Sequence, residues 1–227
     1  MESSVSGVGV LDKAMVVLEA VALEPLGLAA LCDATELPRA TAYRLAVALE
    51  SHGLVRRLDD GRFTLGLRLI GLGRSATTSF PLAVLARPIL ERLRDETGES
   101  VQLYVAEGDA RRCVVSLQSP HGLRWIVPEG VLLPMERGSA GRALAGDVGK
   151  AGWAESVEER ERGVCSVSAP ISAQDDGHGE RIIGALSVSG PVERLTRSPG
   201  RKVGQAVVRA SGELRNELHH AIGALNG

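Results

Sequence analysis

Aromatic residues are nearly absent: only Tyr43, Phe63, Phe80, Tyr104, Trp125 and Trp153 occur in 227 residues. So sparse a set excludes the aromatic platform on which proteins stack single-stranded nucleic acid. Cysteine is scarce as well. Cys32, Cys113 and Cys165 are odd in number, far apart and without a Cys-x-x-Cys pair, which argues against a disulfide framework and a zinc ribbon. Each lies in an apolar stretch, where a free thiol behaves as a small core residue, so a reduced, cytoplasmic protein is expected. No apolar run approaches the roughly 20 residues that span a bilayer, and the opening MESSVSGVGV lacks the basic region of a secretory signal. No membrane partner is expected. The net charge of -2 at face value also disfavours nucleic acid.

What is present is strongly punctuated. The length allows one large domain or two small ones. Leu11, Ala14, Met15, Leu18, Val21 and Ala22 recur at helical spacing up to Pro25. Leu28, Leu31 and Cys32 line a short second helix. Pro38, suited to a first helical position, opens a third that buries Ala42, Leu45, Ala46 and Leu49 and stops at His52-Gly53. Extended runs over 54–58 and 62–65 flank Asp59-Asp60-Gly61, and Asp-Gly there signals a hairpin whose central positions favour φ > 0. Three helices followed by a hairpin describe a winged helix-turn-helix. An amphipathic helix over 81–96 comes next. Strands are expected over 100–107, 112–118, 163–172 and 182–190, a short helix over 138–145, and a closing helix from about residue 199. The expected class is α+β: an N-terminal winged helix-turn-helix (1–77), a linker helix (78–98) and an α/β second domain (99–227).

Resolved along the chain, the charge changes its meaning. Residues 1–36 carry a net -5, and residues 37–74 carry +4, all of the positive charge being arginine. Arginine's planar fork suits phosphates and guanine edges. With Ala42, Leu45, Ala46 and Leu49 turned inward, Arg39, Ala40, Tyr43 and Arg44 point outward from the N-terminal half of the third helix, with Thr41 on the flank. That half of a recognition helix reaches base edges. Arg39 and Thr41 are expected at bases, Tyr43 and Arg44 at phosphates or adjoining bases, and Arg57 and Arg62 of the wing at the backbone or minor groove. The plain alternative is a solvated arginine-rich face.

Catalytic signatures are lacking. Gly138-Ser139-Ala140-Gly141 has Arg137 where a nucleophile elbow needs glycine, and neither a Walker motif nor Gly-x-Gly-x-x-Gly after a strand occurs. His219-His220 falls late in a helix, and Asp175-Asp176-Gly177-His178-Gly179-Glu180 reads as a solvated hairpin turn. No catalytic residue, metal or cofactor is expected. Ser166-Val167-Ser168 and Ser187-Val188-Ser189 place serines on one face of two strands, with Cys165, Val167, Leu186 and Val188 on the other. Paired, they would form either an exposed sheet face or the floor of a polar pocket. The competing functional class is a small-molecule sensor or enzyme whose N-terminal domain mediates protein contacts.

Leu37-Pro38-Arg39-Ala40-Thr41-Ala42-Tyr43-Arg44-Leu45 with Gly61-Arg62-Phe63-Thr64-Leu65-Gly66 resembles the DNA-binding domain of IclR-family transcription regulators. Pro134-Met135, Gly138-Ser139-Ala140-Gly141-Arg142-Ala143, Gly152-Trp153-Ala154, Ser166-Val167-Ser168-Ala169-Pro170 and Ser187-Val188-Ser189-Gly190-Pro191 resemble its GAF-like effector-binding domain. Gly7-Val8-Gly9-Val10-Leu11-Asp12-Lys13-Ala14, Thr97-Gly98-Glu99-Ser100-Val101-Gln102-Leu103-Tyr104 and Glu193-Arg194-Leu195-Thr196-Arg197-Ser198-Pro199-Gly200 are similar to the actinobacterial leucine-biosynthesis regulators of the NdgR and LtbR type. The resemblance implies a homodimer or dimer of dimers on a double-stranded DNA operator, controlling amino-acid (leucine) biosynthesis genes. It implies as effector leucine or a related amino or 2-oxo acid, with contacts at Ser139, Ala140, Ser156, Val164, Ser166, Ser187 and Ser189. The chain departs from the family between Ala145 and Gly152, where a longer segment with additional helix is usual. Loss of that cover would open part of the pocket. Arg162 also replaces a common proline, and Ser156 an acidic residue found in some relatives.

Overall fold

The computed structural model describes residues 8–78, 81–175 and 179–225. Gly7 of the quoted motif, residues 79–80 of the expected linker and 176–178 of the acidic hairpin turn lie outside them. By its internal contacts the chain divides into two units, Met1–Ser79 and Phe80–Gly227.

The first unit packs α1 (Gly9–Leu23), α2 (Leu28–Thr35) and α3 (Arg39–Ser51) against a hairpin of β1 (Val55–Arg57) and β2 (Phe63–Leu65). Its core is Val17, Val21, Leu26, Leu31, Ala46, Leu49, Val55 and Phe63. The inward stripe of α1 is therefore Ala14, Val17, Leu18 and Val21, whereas Leu11 and Met15, expected to face the core, are 52% and 46% exposed. Pro38 is the residue before α3, which starts one position later than expected. The hairpin loop holds the expected residues and differs from expectation only in its turn conformation. Leu58 N–H donates to Arg62 O (2.8 Å) and Gly61 N–H to Leu58 O (2.9 Å), so the loop holds three residues, Asp59, Asp60 and Gly61. Of these only Gly61 has positive φ (+84°), because one left-handed residue after an ordinary turn already restores the strand twist. Phe63 fastens the wing down: it exchanges backbone hydrogen bonds with Leu26 (2.8 and 2.9 Å) while its ring is 2% exposed.

A further helix, α4 (Arg68–Thr78), was not expected. Leu67, Ile70 and Leu72 around its start are 50–70% exposed, so no buried stripe marks it in the sequence. Arg68 anchors it, its Nη1 donating to His52 O (3.0 Å).

The second unit is one antiparallel sheet, order β5-β4-β3-β8-β7-β6, made of β3 (Ser100–Glu107), β4 (Ala110–Leu117), β5 (Leu132–Pro134), β6 (Ala154–Val157), β7 (Val164–Asp175) and β8 (Gly179–Pro191). The short β5 and β6 carry too little local pattern to be read from the sequence. Helix α5 (Pro81–Thr97) lies on β3 and β4, and the closing helix on β7 and β8. Leu82, Ala86, Ile89, Leu90 and Leu93 of α5 meet Val101, Leu103, Val115, Val167, Leu186 and Val188 in the core. Each such fully buried Val or Leu contributes about 1.5–3 kcal/mol. The helix of the expected linker thus packs as part of the second unit. On the other face lies α6 (Ser139–Leu144), and α7 (Val192–Leu195) follows β8. The closing helix, α8 (Gln205–Leu225), begins after a π-helical turn at Gly200–Gly204. Carbons added at Gly200 and Gly204 would fall within 3 Å of the Trp153 indole, so the ring fixes this wider turn. Among the described residues no single helix is long and apolar enough to cross a membrane.

Gly66 closes the wing against α3. A Cβ there would lie 2.1 Å from Gly53 O and 2.6 Å from its carbonyl carbon, both backbone atoms that cannot swing away. Gly66→Ala is expected to lower stability by about 1–3 kcal/mol or more. Thermal denaturation of the full chain checks this, and an unchanged midpoint would contradict it.

Candidate functional site

Two groups of residues stand out, one in each unit. In the first, Arg39, Ala40, Tyr43 and Arg44 are exposed on α3 and Thr41 is half-buried, while Ala42 and Ala46 are fully buried beneath them. One helix face is thus packed and the opposite face presents arginine. Among the described residues Arg39, Arg44 and Arg56 have no ion-pair partner. The two wing arginines expected at DNA, Arg57 and Arg62, are placed differently. Arg57 lies against Phe63, 4.6 Å from the ring centroid and 6.0 Å from that of Tyr43, with Glu50 3.7 Å away. It therefore braces β1 against α3. Arg62 stands at the wing tip, its Nε 2.7 Å from Asp60 Oδ2 and its N–H bonded to Asp60 Oδ1 (3.0 Å). Those bonds hold the Asp60 carboxyl below the usual carboxylate range. Both partners are about half exposed, and so open a pair contributes little stability.

In the second unit the strand register gathers the serines. Ser156, Ser166, Ser189 and Ser100 form a row across β6, β7, β8 and β3, and Ser168, Ser187 and Gln102 form the next. All project from the face opposite the α5 and α8 core. Ser139 at the start of α6 reaches down to them, its Oγ 2.7 Å from both Ser166 Oγ and Ser168 Oγ. Ser139, Ala140, Ser156, Ser168, Ser187 and Ser189 are buried, and Val164 and Ser166 half-buried. The short passage 146–151 does not leave this face open. It is folded into turns, with Asp147 N–H on Arg142 O (2.9 Å) and Gly149 N–H on Trp153 O (3.1 Å). Arg142 clips α6 to the β6 edge through Glu155 O and Glu159 (3.0 Å).

Beside the serines lie residues that the sequence reading missed. Tyr104, Cys113, Val127 and Ala140 form a buried cluster under Trp125, Val131, Leu133 and Leu144. Ser189 Oγ donates to Gln102 Oε1 (2.9 Å). Arg111, 1% exposed, lies over the Tyr104 ring at 5.5 Å. Gln102 and Tyr104 carried a usable signal, because alternation along β3 puts them on the serine face. Arg111 carried none, since a polar residue near the start of a strand is ordinarily solvated. His219 and His220 are exposed on α8, and among the described residues no group of three or more His, Cys, Asp or Glu is placed to hold a metal.

A helix-turn-helix with an arginine-bearing wing, followed by an α/β domain, defines a transcriptional regulator that binds duplex DNA. The IclR helix-turn-helix domain model matches residues 10–59. The bacterial transcriptional regulator IclR C-terminal model matches 74–150 and 146–215, two stretches that meet in the shortened passage. The chain belongs to the IclR family, and it is a regulator of transcription, not an enzyme. It is 26% identical to the transcriptional repressor IclR of Escherichia coli K12, over 83% of this chain and 81% of that protein. It is 27% identical to a glycerol operon regulatory protein of Streptomyces coelicolor, over 87% and 84%. Its fold is similar to that of an IclR homolog from Microbacterium hydrocarbonoxydans complexed with 4-hydroxybenzoate (TM-score 0.76, 20% identity, 93% and 99% covered).

Two of the three thiols are sealed. Burial, reinforced by Glu129, pushes the Cys113 thiol up to about 12, and burial with Glu99 and neighbouring carboxylates pushes Cys165 up to about 11. Cys32 is half-buried. The native chain is expected to take up one equivalent of iodoacetamide near neutral pH and three after denaturation, counted by mass. The raised values also set a sign. Below the ordinary thiol value of 9.0 both states hold the proton; above it the unfolded chain ionises first, so stability falls as pH rises towards 11–12. Denaturant midpoints across that range check the direction.

Proposed function

We propose that this chain is a homodimer, or a dimer of dimers, that reads a two-fold operator with α3 and the wing, and whose affinity is set by a small effector held between α6 and the serine face. The observation that carries the DNA half is the exposed row Arg39, Tyr43 and Arg44 on a helix whose other face is fully packed. A two-fold protein pairs with half-sites about one helical turn apart, or a multiple of it. Ser156, Val164, Ser166, Ser187 and Ser189 support the effector half, since the register brings them onto one sheet face, and Ser139 and Ala140 of α6 meet that face from above. The effector shifts operator affinity by as much as it prefers one quaternary arrangement over another.

The regulated genes are read from the motifs around Gly9, Gln102 and Arg194, which resemble regulators of leucine biosynthesis. Relatives named for acetate and glycerol operons show that family membership alone does not choose the operon. Leucine and its 2-oxo acid are the effectors this reading favours. 4-Hydroxybenzoate, bound in the Microbacterium homolog, is the comparison compound.

A gel shift on the upstream regions of leucine genes, with salt titration, tests the proposal. Arg39→Ala should relax specificity at one base position, by about 1–3 kcal/mol. Arg62→Ala should weaken all sequences alike and reduce the salt slope by about one. If neither substitution changes binding, or the wild type does not bind at low salt, the DNA assignment falls and a protein-contact role for the first unit takes its place.

A further inference from the structure

Among the described residues Arg111 is a buried cation without a counter-ion. Its Nη1 and Nη2 donate to the carbonyl oxygens of Pro134 and Arg137 (2.7 Å for the latter), and its Nε has no partner. No carboxylate among the described residues pairs with it. The ionisable groups that reach it are Tyr104 and Arg160, the latter of like sign, and burial, opposed by Tyr104 and aided by Arg160, draws the guanidinium pKa down. An unpaired buried guanidinium is costly and persists where something offsets it. The same face holds a second unmet group. Gln102 is 1% exposed and its Nε2 has no partner. Turning the amide over only exchanges which end is unmet. Tyr104 stands between the two, next after Gln102 on its face of β3, with its ring under Arg111. Arg160 closes the other side, 5.8 Å from the Trp125 ring.

We propose that Arg111 and Gln102 determine the specificity of the effector site: the carboxylate of an acid effector supplies the missing counter-charge at Arg111 Nε, against Tyr104 and beside Arg160, while an amino, oxo or hydroxyl group on the same molecule meets Gln102. This rests on the reading of the α6-covered face as the effector site and extends it onto β3 and β4. It places the charge recognition at residues that neither the serine pattern nor the resemblance assigned. The serines then shape and orient, and the arginine selects for charge.

The test uses the full chain, calorimetric titration and three acids, each with a carboxylate-free counterpart. These are leucine with leucinol, 4-methyl-2-oxopentanoate with its methyl ester, and 4-hydroxybenzoate with 4-hydroxybenzamide. The wild type is expected to bind at least one acid and not its counterpart. Arg111→Met should bind that acid about 10- to 100-fold more weakly, the range of one charge-assisted hydrogen bond. Because Arg111 also ties down two carbonyl oxygens, Arg111→Lys serves as the second variant. It keeps the cation and a donor for those carbonyl oxygens, and should retain part of the preference for acid over counterpart. A wild type that binds none of the three acids, or binds acid and counterpart alike, overturns the proposal. So does an Arg111→Met variant that binds the acid as the wild type does. Operator gel shifts on the same preparations separate the two levels. Intact DNA binding without acid discrimination removes the carboxylate reading alone, whereas a wild type that binds no operator removes the regulator reading itself.

Discussion

The pairing of β7 with β8, Ser166 opposite Ser189 and Val167 opposite Val188, is the constraint from which the second unit follows. Side chains alternate across a strand, and a slip of one residue would exchange the faces completely. In the observed register Cys165, Val167, Leu186 and Val188 enter the core with α5 and α8. The serines are left on the reverse side, where Ser139 and α6 meet them. One choice of register therefore builds both the apolar core and the polar floor. The apolar side enforces it, since burying serines against α5 would forfeit the burial of every valine and leucine in that layer.

The first unit shows the same division of labour on a smaller scale. Phe63 joins the wing to the stretch between α1 and α2 by two backbone bonds and buries its ring in the core. The wing is thereby held beside α3, and Arg57 fills the seam between them. The net -2 of the chain is an average over segments that do opposite things. The stretch that carries α3 and the wing is positive, and the acidic excess lies in residues 1–36. A field that steers association depends on where charge sits, not on its total.

Where the structure departs from the sequence reading, the departures share a cause. α1 is rotated relative to the expected stripe because Ala14, Leu18 and Val21 can share a face either with Val17 or with Leu11 and Met15, and only the partners α2 and α3 choose between them. β5 and β6 exist because the edges of β4 and β7 offer unpaired backbone groups, not because three or four residues prefer extension. The shortened passage after Ala145 leaves the serine face covered because α6 is bonded directly to it.

Local chemistry in the sequence determined a great deal: three helices with their stops, a hairpin marked by Asp-Gly, arginines on one helix face, and serines at two-residue spacing. These are properties of neighbours along the chain, and periodicity reports them. The tertiary structure alone decided that Arg111 is buried over Tyr104 without a carboxylate among the described residues, that one end of the Gln102 amide is unmet there, and that Arg57 braces the wing while Arg62 stays at its tip. Burial and charge compensation depend on groups brought together from distant strands and loops. No local pattern encodes whether a particular arginine finds a partner there.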